Sequence, residues 1–144
     1  MKSIQILTTF LLFVSLTLFS CVRTPGEGGR ASITGSVELI RRLVIYTPEI
    51  NEDSLSIAAS NVEVFIVYGD NIGPDDKVDT NPDGDFTFEW LRTGDYTLYV
   101  YSEDTTIPIS GVAPLPRVAV SFEIEIQDKD DVIQLDPFVI YDDY

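Results

Sequence analysis

Histidine is missing from this 144-residue chain, and cysteine occurs once, at Cys21. A Ser-His-Asp triad and a Cys-His pair both use an imidazole as base, so both are excluded. Structural zinc sites draw on Cys and His, and an internal disulfide needs two thiols; these are excluded too. Positive charge is scarce: 9 Lys and Arg stand against 24 Asp and Glu, and no acid precedes Glu27. With residues 1–20 set aside, 124 residues carry 8 bases and 24 acids, a net charge of −16. Nucleic-acid binding rests on bases neutralising phosphates, so this balance excludes it. Helical patterning is lacking as well, because past residue 30 no stretch keeps a helical apolar period for three turns. What remains is enough chain to bury roughly two-thirds of its unfolded surface in one domain.

The first 20 residues, MKSIQILTTFLLFVSLTLFS, have the form of a signal peptide. Lys2 supplies the positive start, Ile4 to Phe19 carry no charge, and the apolar density peaks over Phe10–Val14. The run is short for a bilayer span of ~20 residues. Leu18-Phe19-Ser20-Cys21 resembles the lipobox of bacterial lipoproteins, although Phe19 is larger than the residue usual there. The resemblance implies cleavage between Ser20 and Cys21, a diacylglyceryl group on the Cys21 thiol, and usually an acylated amine. Two or three acyl chains hold a protein to a membrane where one is marginal. Residues 21–30, with three Gly and one Pro, are expected to form a flexible tether, and residues 31–144 the domain. Surface-exported lipoproteins of some Gram-negative groups carry an acidic run just after the Cys, and here Glu27 stands alone. The expected location is therefore the outer membrane, on its periplasmic side.

Period-two alternation recurs through the domain. Ile33, Gly35, Val37 and Leu39 share one parity, which could continue through Leu43 and Ile45. Val62, Val64 and Ile66 form a second set, Phe86 and Phe88 a third, Tyr96, Leu98 and Val100 a fourth. Val118, Val120, Phe122, Ile124 and Ile126 form a fifth, and a last strand spans 132–141, interrupted at Asp136-Pro137. The polar stretch 48–60 breaks the pattern and is expected to hold at most one helical turn. Asn81-Pro82-Asp83-Gly84 suits a type I turn, with Pro fixing φ and Gly free to adopt positive φ. About seven short strands with turns between them predict an all-β sandwich.

Gly35-Ser36-Val37, Val62-Glu63-Val64, Thr80 with Gly84 and Phe86, and Leu91 with Gly94, Tyr96 and Leu98 follow one another in the order seen in a known family. The order resembles the carboxypeptidase regulatory-like domain, a transthyretin-like, Ig-like β-sandwich akin to Cna B-type repeats. It covers roughly residues 31–126, with an insertion around 40–60, and Thr80 stands one residue further from the Gly than in the family pattern. Tyr68-Gly69-Asp70 and Val100-Tyr101-Ser102 also resemble stretches of small lipoproteins from Bacteroidetes. The signature consists of turn glycines and core apolar residues, so it implies a fold and not an activity.

Paired carboxylates are the one catalytic chemistry the composition allows, and they need a cleft that a small sandwich does not form by default. The chain is expected not to be an enzyme and to need no cofactor, with calcium as the one candidate. Asp79, Asn81, Asp83 and Asp85 alternate like the first half of a calcium loop, but position twelve of that loop is Trp90, where a bidentate acid belongs. An ordinary acidic turn accounts for the same residues. By parity Phe65, Val67, Tyr99 and Tyr101 point away from the core, and in transthyretin-like sandwiches their strands are neighbours. With Trp90, which could stack on a sugar ring, these are the candidate contacts for a protein or glycan partner. Either the insertion, with Leu43, Ile45, Tyr46 and Ile57, folds over the four as a third layer, or the patch is open; the first is favoured, because those apolar residues need a place. The expected role is a membrane-anchored, non-catalytic binding or accessory module at the cell envelope. The alternatives are a carbohydrate-binding module of a polysaccharide-uptake system and a structural subunit of a surface fibre.

Overall fold

A computed structural model describes residues 24–45, 51–104, 106 and 116–142, with the side chains of 42–45, 51–54 and 142 left aside. The expected Cys21 lipidation, the cleavage after Ser20 and Tyr46 of the insertion lie outside these residues. The described chain is an all-β sandwich as expected, but of nine strands where about seven were expected, because the insertion supplies a strand of its own and the last strand divides in two. They are β1 (Glu27–Ile45), β2 (Asn51–Ala58), β3 (Glu63–Tyr68), β4 (Asp76–Asp79), β5 (Asp85–Leu91), β6 (Gly94–Glu103), β7 (Arg117–Ile126), β8 (Val132–Gln134) and β9 (Phe138–Asp142).

One layer is the sheet β4-β3-β6-β7, antiparallel throughout. The other is built on β1. Along one edge of β1 run β5 and then β2, both antiparallel, and along the other β8 and then β9, both parallel. The handover on the first edge falls at Val37, whose N–H donates to Gly84 O (2.8 Å) and whose carbonyl accepts from Ala59 N (2.9 Å). The handover on the second falls at Leu135-Asp136-Pro137, where Pro interrupts the ladder as its missing N–H requires. The last strand therefore divides where the sequence indicates.

Two expectations need correction. The insertion is neither a break nor a helical turn: Leu39↔Ile57 and Arg41↔Leu55 are among the pairs that make it a hairpin of β1 with β2. Its polar residues become strand because β1 offers a ladder to pair with, a tertiary choice that local propensity does not report. Its described residues prolong the β1 sheet and do not cover the other one as a third layer. Within the stretch expected to be tether, Thr24–Arg30 belong to the fold, and β1 begins at Glu27.

The core sits where most of the parities place it, although Val118, at the start of the fifth set, is 40% exposed. Ile33, Val37, Val64, Ile66, Phe86, Phe88, Tyr96, Leu98, Val100 and Ile126 are all buried. Phe138 of β9 joins the layers at the centre, 4.7 Å from the Phe122 ring and 5.9 Å from the Phe86 ring. Gly35 is small for a physical reason: a Cβ there would lie 2.7 Å from the Phe86 ring. Thr80 is buried, its hydroxyl donating to Ala59 O (2.6 Å) and accepting from Val62 N (2.9 Å). It thereby pins the turn between β2 and β3 against the end of β4.

Tyr96 closes the other end. Its buried hydroxyl donates to Arg92 O (2.8 Å) and accepts from Gly26 N (2.9 Å), so it ties the entering chain and the β5–β6 turn to one atom. Removing that oxygen leaves both backbone groups without this partner. Tyr96→Phe is expected to cost about 1–3 kcal/mol, read as a lower urea midpoint at unchanged slope; an unchanged midpoint would refute the role given to the hydroxyl.

Candidate functional site

Phe65 and Tyr99 are direct cross-strand partners on β3 and β6, and Tyr101 follows two residues along β6 on the same face. All three face away from the core. The Phe65 and Tyr99 rings stack at 5.1 Å and 16°, while Tyr101 meets Phe65 edge-on at 5.8 Å and Tyr99 at 5.5 Å. Such ring pairs add stabilisation beyond the area they bury, so the cluster is a preformed surface. Tyr101 remains 46% exposed, and Phe65 and Tyr99 are partly exposed. Loss of hydration, and then the neighbouring Tyr101, raise the pKa of the Tyr99 phenol above its ordinary value. Beside Phe65 stands Lys77, paired with Glu63 along the rim. Ser121 and Ala119 of β7 flank the tyrosines on the other side.

Of the four residues expected to make one patch, three do so, and Trp90, the fifth candidate contact, stands apart. Val67 has the outward parity but is only 9% exposed. It lies beside Thr97, and the β3–β4 connection returns past it, with Asp75 N donating to Ile66 O (2.9 Å) and Tyr68 N to the Asp75 carboxylate (2.7 Å). Trp90 belongs to the other sheet altogether. Ala31 pairs Leu91 while Ile33 pairs Phe88, so β5 carries one extra residue at Glu89-Trp90. Trp90 takes that bulge at φ 62°, a conformation that a bulky side chain adopts at a cost, and its side chain is 65% exposed.

The acidic segment is a turn built on Asn81. Its side-chain oxygen accepts from Asp83 N and Asp85 N, both at 2.9 Å, and its carbonyl accepts from Gly84 N, also at 2.9 Å. Gly84 sits at φ 81°, where a Cβ would lie 2.7 Å from Val37 O. Asp79 lies back on β4, opposite Glu63. The oxygen that Asn81 would lend to calcium is therefore engaged by the turn, and among the described residues no three acids converge on a point that could hold a metal. A shallow depression of about 300 Å³ lies elsewhere, beneath the entering chain at Pro25, Tyr68, Asp70, Asn71 and Asp95.

Two exposed apolar residues escape the parity argument. Ile72 stands fully exposed in the β3–β4 connection, and Val132 is 74% exposed at the start of β8. The signal for Ile72 is its isolation in Asp70-Asn71-Ile72-Gly73-Pro74-Asp75-Asp76, a polar loop with no strand to bury it.

A scan against protein-family models and a search of curated proteins gave no match. Among solved structures the chain is similar to the crystal structure of a "putative carbohydrate binding protein" from Pseudomonas aeruginosa, with 10% identity and a TM-score of 0.44. The similarity covers 81% of this chain and 91% of that one. That description belongs to the neighbour.

The titration of Tyr68 is a measurable property of the end where the chain enters. Burial, reinforced by Asp76, Glu27 and Asp75, pushes its phenol up to about 12. An unfolded tyrosine ionises near 10. The folded state thus holds the neutral form, a stabilisation complete below pH ~10 and lost as pH rises towards ~12. Stability by urea titration is expected to fall over that interval, and Tyr68→Phe to fall less steeply. Parallel curves for the two proteins would contradict the assignment.

Proposed function

We propose that this chain is a lipid-anchored, non-catalytic binding module of the bacterial cell envelope that meets a protein partner through Phe65, Tyr99 and Tyr101. The observation that carries the reading is the ring cluster on the outward face of a sheet whose inward face already builds the core. A contiguous aromatic surface that packing does not require is a candidate contact, and Tyr suits one because it pairs a ring with a hydroxyl at small entropy cost. The rings form a compact group, 5.1 to 5.8 Å between centroids. A protein surface can cover such a group at once, whereas a glycan is better met by separate rings in a row. Strand exchange in a fibre would call for a vacancy in the sandwich, and β1 already has neighbours along both edges. The anchor is Cys21, the sole thiol, three residues after Leu18.

Two experiments test the two halves of this reading. Cys21→Ser is expected to release the protein from the membrane fraction or to stall the precursor; a mutant that stays bound at mature size would refute the anchor. The double change Tyr99→Ser with Tyr101→Ser is expected to abolish recovery of a specific partner by the acylated protein. Its unfolding free energy from urea titration should fall by no more than about 1–2 kcal/mol, the worth of exposed ring pairs. A collapse of stability would make the cluster internal packing, and an undiminished partner yield would move the contact elsewhere.

A further inference from the structure

The three most exposed large apolar side chains among the described residues are Ile72, Val132 and Trp90. They come from three separate parts of the sequence, yet the topology brings them to one end of the sandwich. At this end β1 begins, β3 and β7 finish, β6 begins and β5 finishes. Ile72 is on the connection leaving β3, Trp90 is one residue before the end of β5, and Val132 opens β8 beside Ser32 of β1. The described turns at the opposite end are polar, with Asn61, Asn81, Asp83 and Asp136 exposed.

The chain enters at the apolar end and is fixed there. Pro25 packs against Gly69 and Gly94, Gly26 N donates to Tyr96 Oη (2.9 Å), and Arg92 N donates to Gly26 O (2.9 Å). Cys21 is three residues before Thr24, a distance no extended chain can stretch beyond about 10 Å. A lipid on Cys21 would therefore hold this end, and no other, at the bilayer surface.

We propose that the end of the sandwich bearing Ile72, Trp90 and Val132 docks on the lipid bilayer, these side chains entering the interfacial layer beside the acylated Cys21. This rests on the lipid-anchor reading above. Trp is suited to that depth, because its ring is apolar and its N–H can stay hydrated. The contact is small, but an anchored protein meets the bilayer as an intramolecular partner, so little affinity is needed to hold an orientation. Charge selects the lipid. Glu27, Asp70, Asp75, Asp76, Glu89, Asp95, Glu125, Asp128, Asp130 and Asp131 stand at this end against Arg30, Arg92 and Lys129, and Arg23 adds one base between Cys21 and Thr24. The surface it fits is zwitterionic, since anionic headgroups would repel it.

Trp90 is the only tryptophan in the chain, so its fluorescence reports this end alone. The acylated protein, reconstituted in phosphatidylcholine vesicles carrying a share of bromine-labelled lipid, should show blue-shifted emission that the bromine quenches. Replacing part of the phosphatidylcholine by phosphatidylglycerol should weaken quenching at low salt. Ile72→Ser, which changes a side chain fully exposed in the fold, should lower the docked-to-free ratio on the order of tenfold, the worth of one buried aliphatic side chain. Acylated, vesicle-bound protein with unshifted, unquenched Trp90 would overturn the docking while leaving the anchor intact. Mature protein without acyl mass on Cys21 that stays off the vesicles would overturn the anchor and the docking together.

Discussion

β1 is the constraint on which the sandwich depends. It runs for 19 residues and finds partners along both edges, β5 and β2 on one and β8 and β9 on the other. A side-chain period of two lets no strand slip by one residue without turning its core face to water. Moving β1 would thus turn out Ile33 and Val37 and break four ladders at once. The glycine at position 35 belongs to this constraint, because the Phe86 ring of β5 lies over the backbone there. Phe86 then reaches Phe138, and Phe138 reaches Phe122, so the packing that joins the two layers passes through that one missing side chain.

The two ends of the molecule are finished by different chemistry. At one end the Thr80 hydroxyl and the Asn81 side-chain oxygen satisfy backbone groups of the turns. Buried or crowded backbone groups must find partners, and short oxygen-bearing side chains supply them without adding bulk. At the other end one phenol, Tyr96, takes the same task for two chain segments. Because one of them is the entering chain, the core itself determines where the N-terminal segment leaves the domain.

Much of this architecture is legible in the sequence, and the reason is periodicity. Val64, Ile66, Leu98 and Val100 alternate with polar or outward residues, and alternation of that kind has one structural meaning. The turn at Asn81-Pro82-Asp83-Gly84 is legible because each residue has a conformational reason to be there. The hairpin of β2 is not legible, since Asn51-Glu52-Asp53-Ser54 has no strand pattern and is strand only by pairing with β1. The displacement of Trp90 is hidden for a related reason. A bulge shifts the parity of everything after it, and nothing local distinguishes Glu89-Trp90 from two ordinary strand residues. Phe65, Tyr99 and Tyr101 come together as expected because two parities and one strand adjacency suffice to place them.

The distribution of rings then follows from strand direction. β6 begins at the end where the chain enters, and Tyr99 lies five residues further on, which at ~3.3 Å per residue is roughly 17 Å away. Tyr101 lies further still. A ring cluster placed at the middle and far half of β6 therefore stands clear of the entering chain, which meets this strand at Tyr96. The same strand thus carries Tyr96, which fixes the entry, and Tyr99 with Tyr101, which point outward beyond it. Alternation assigns the first to the core and the other two to the surface, so fixing the entering chain and building an outward aromatic face are adjacent tasks of one strand that do not compete for the same side chains.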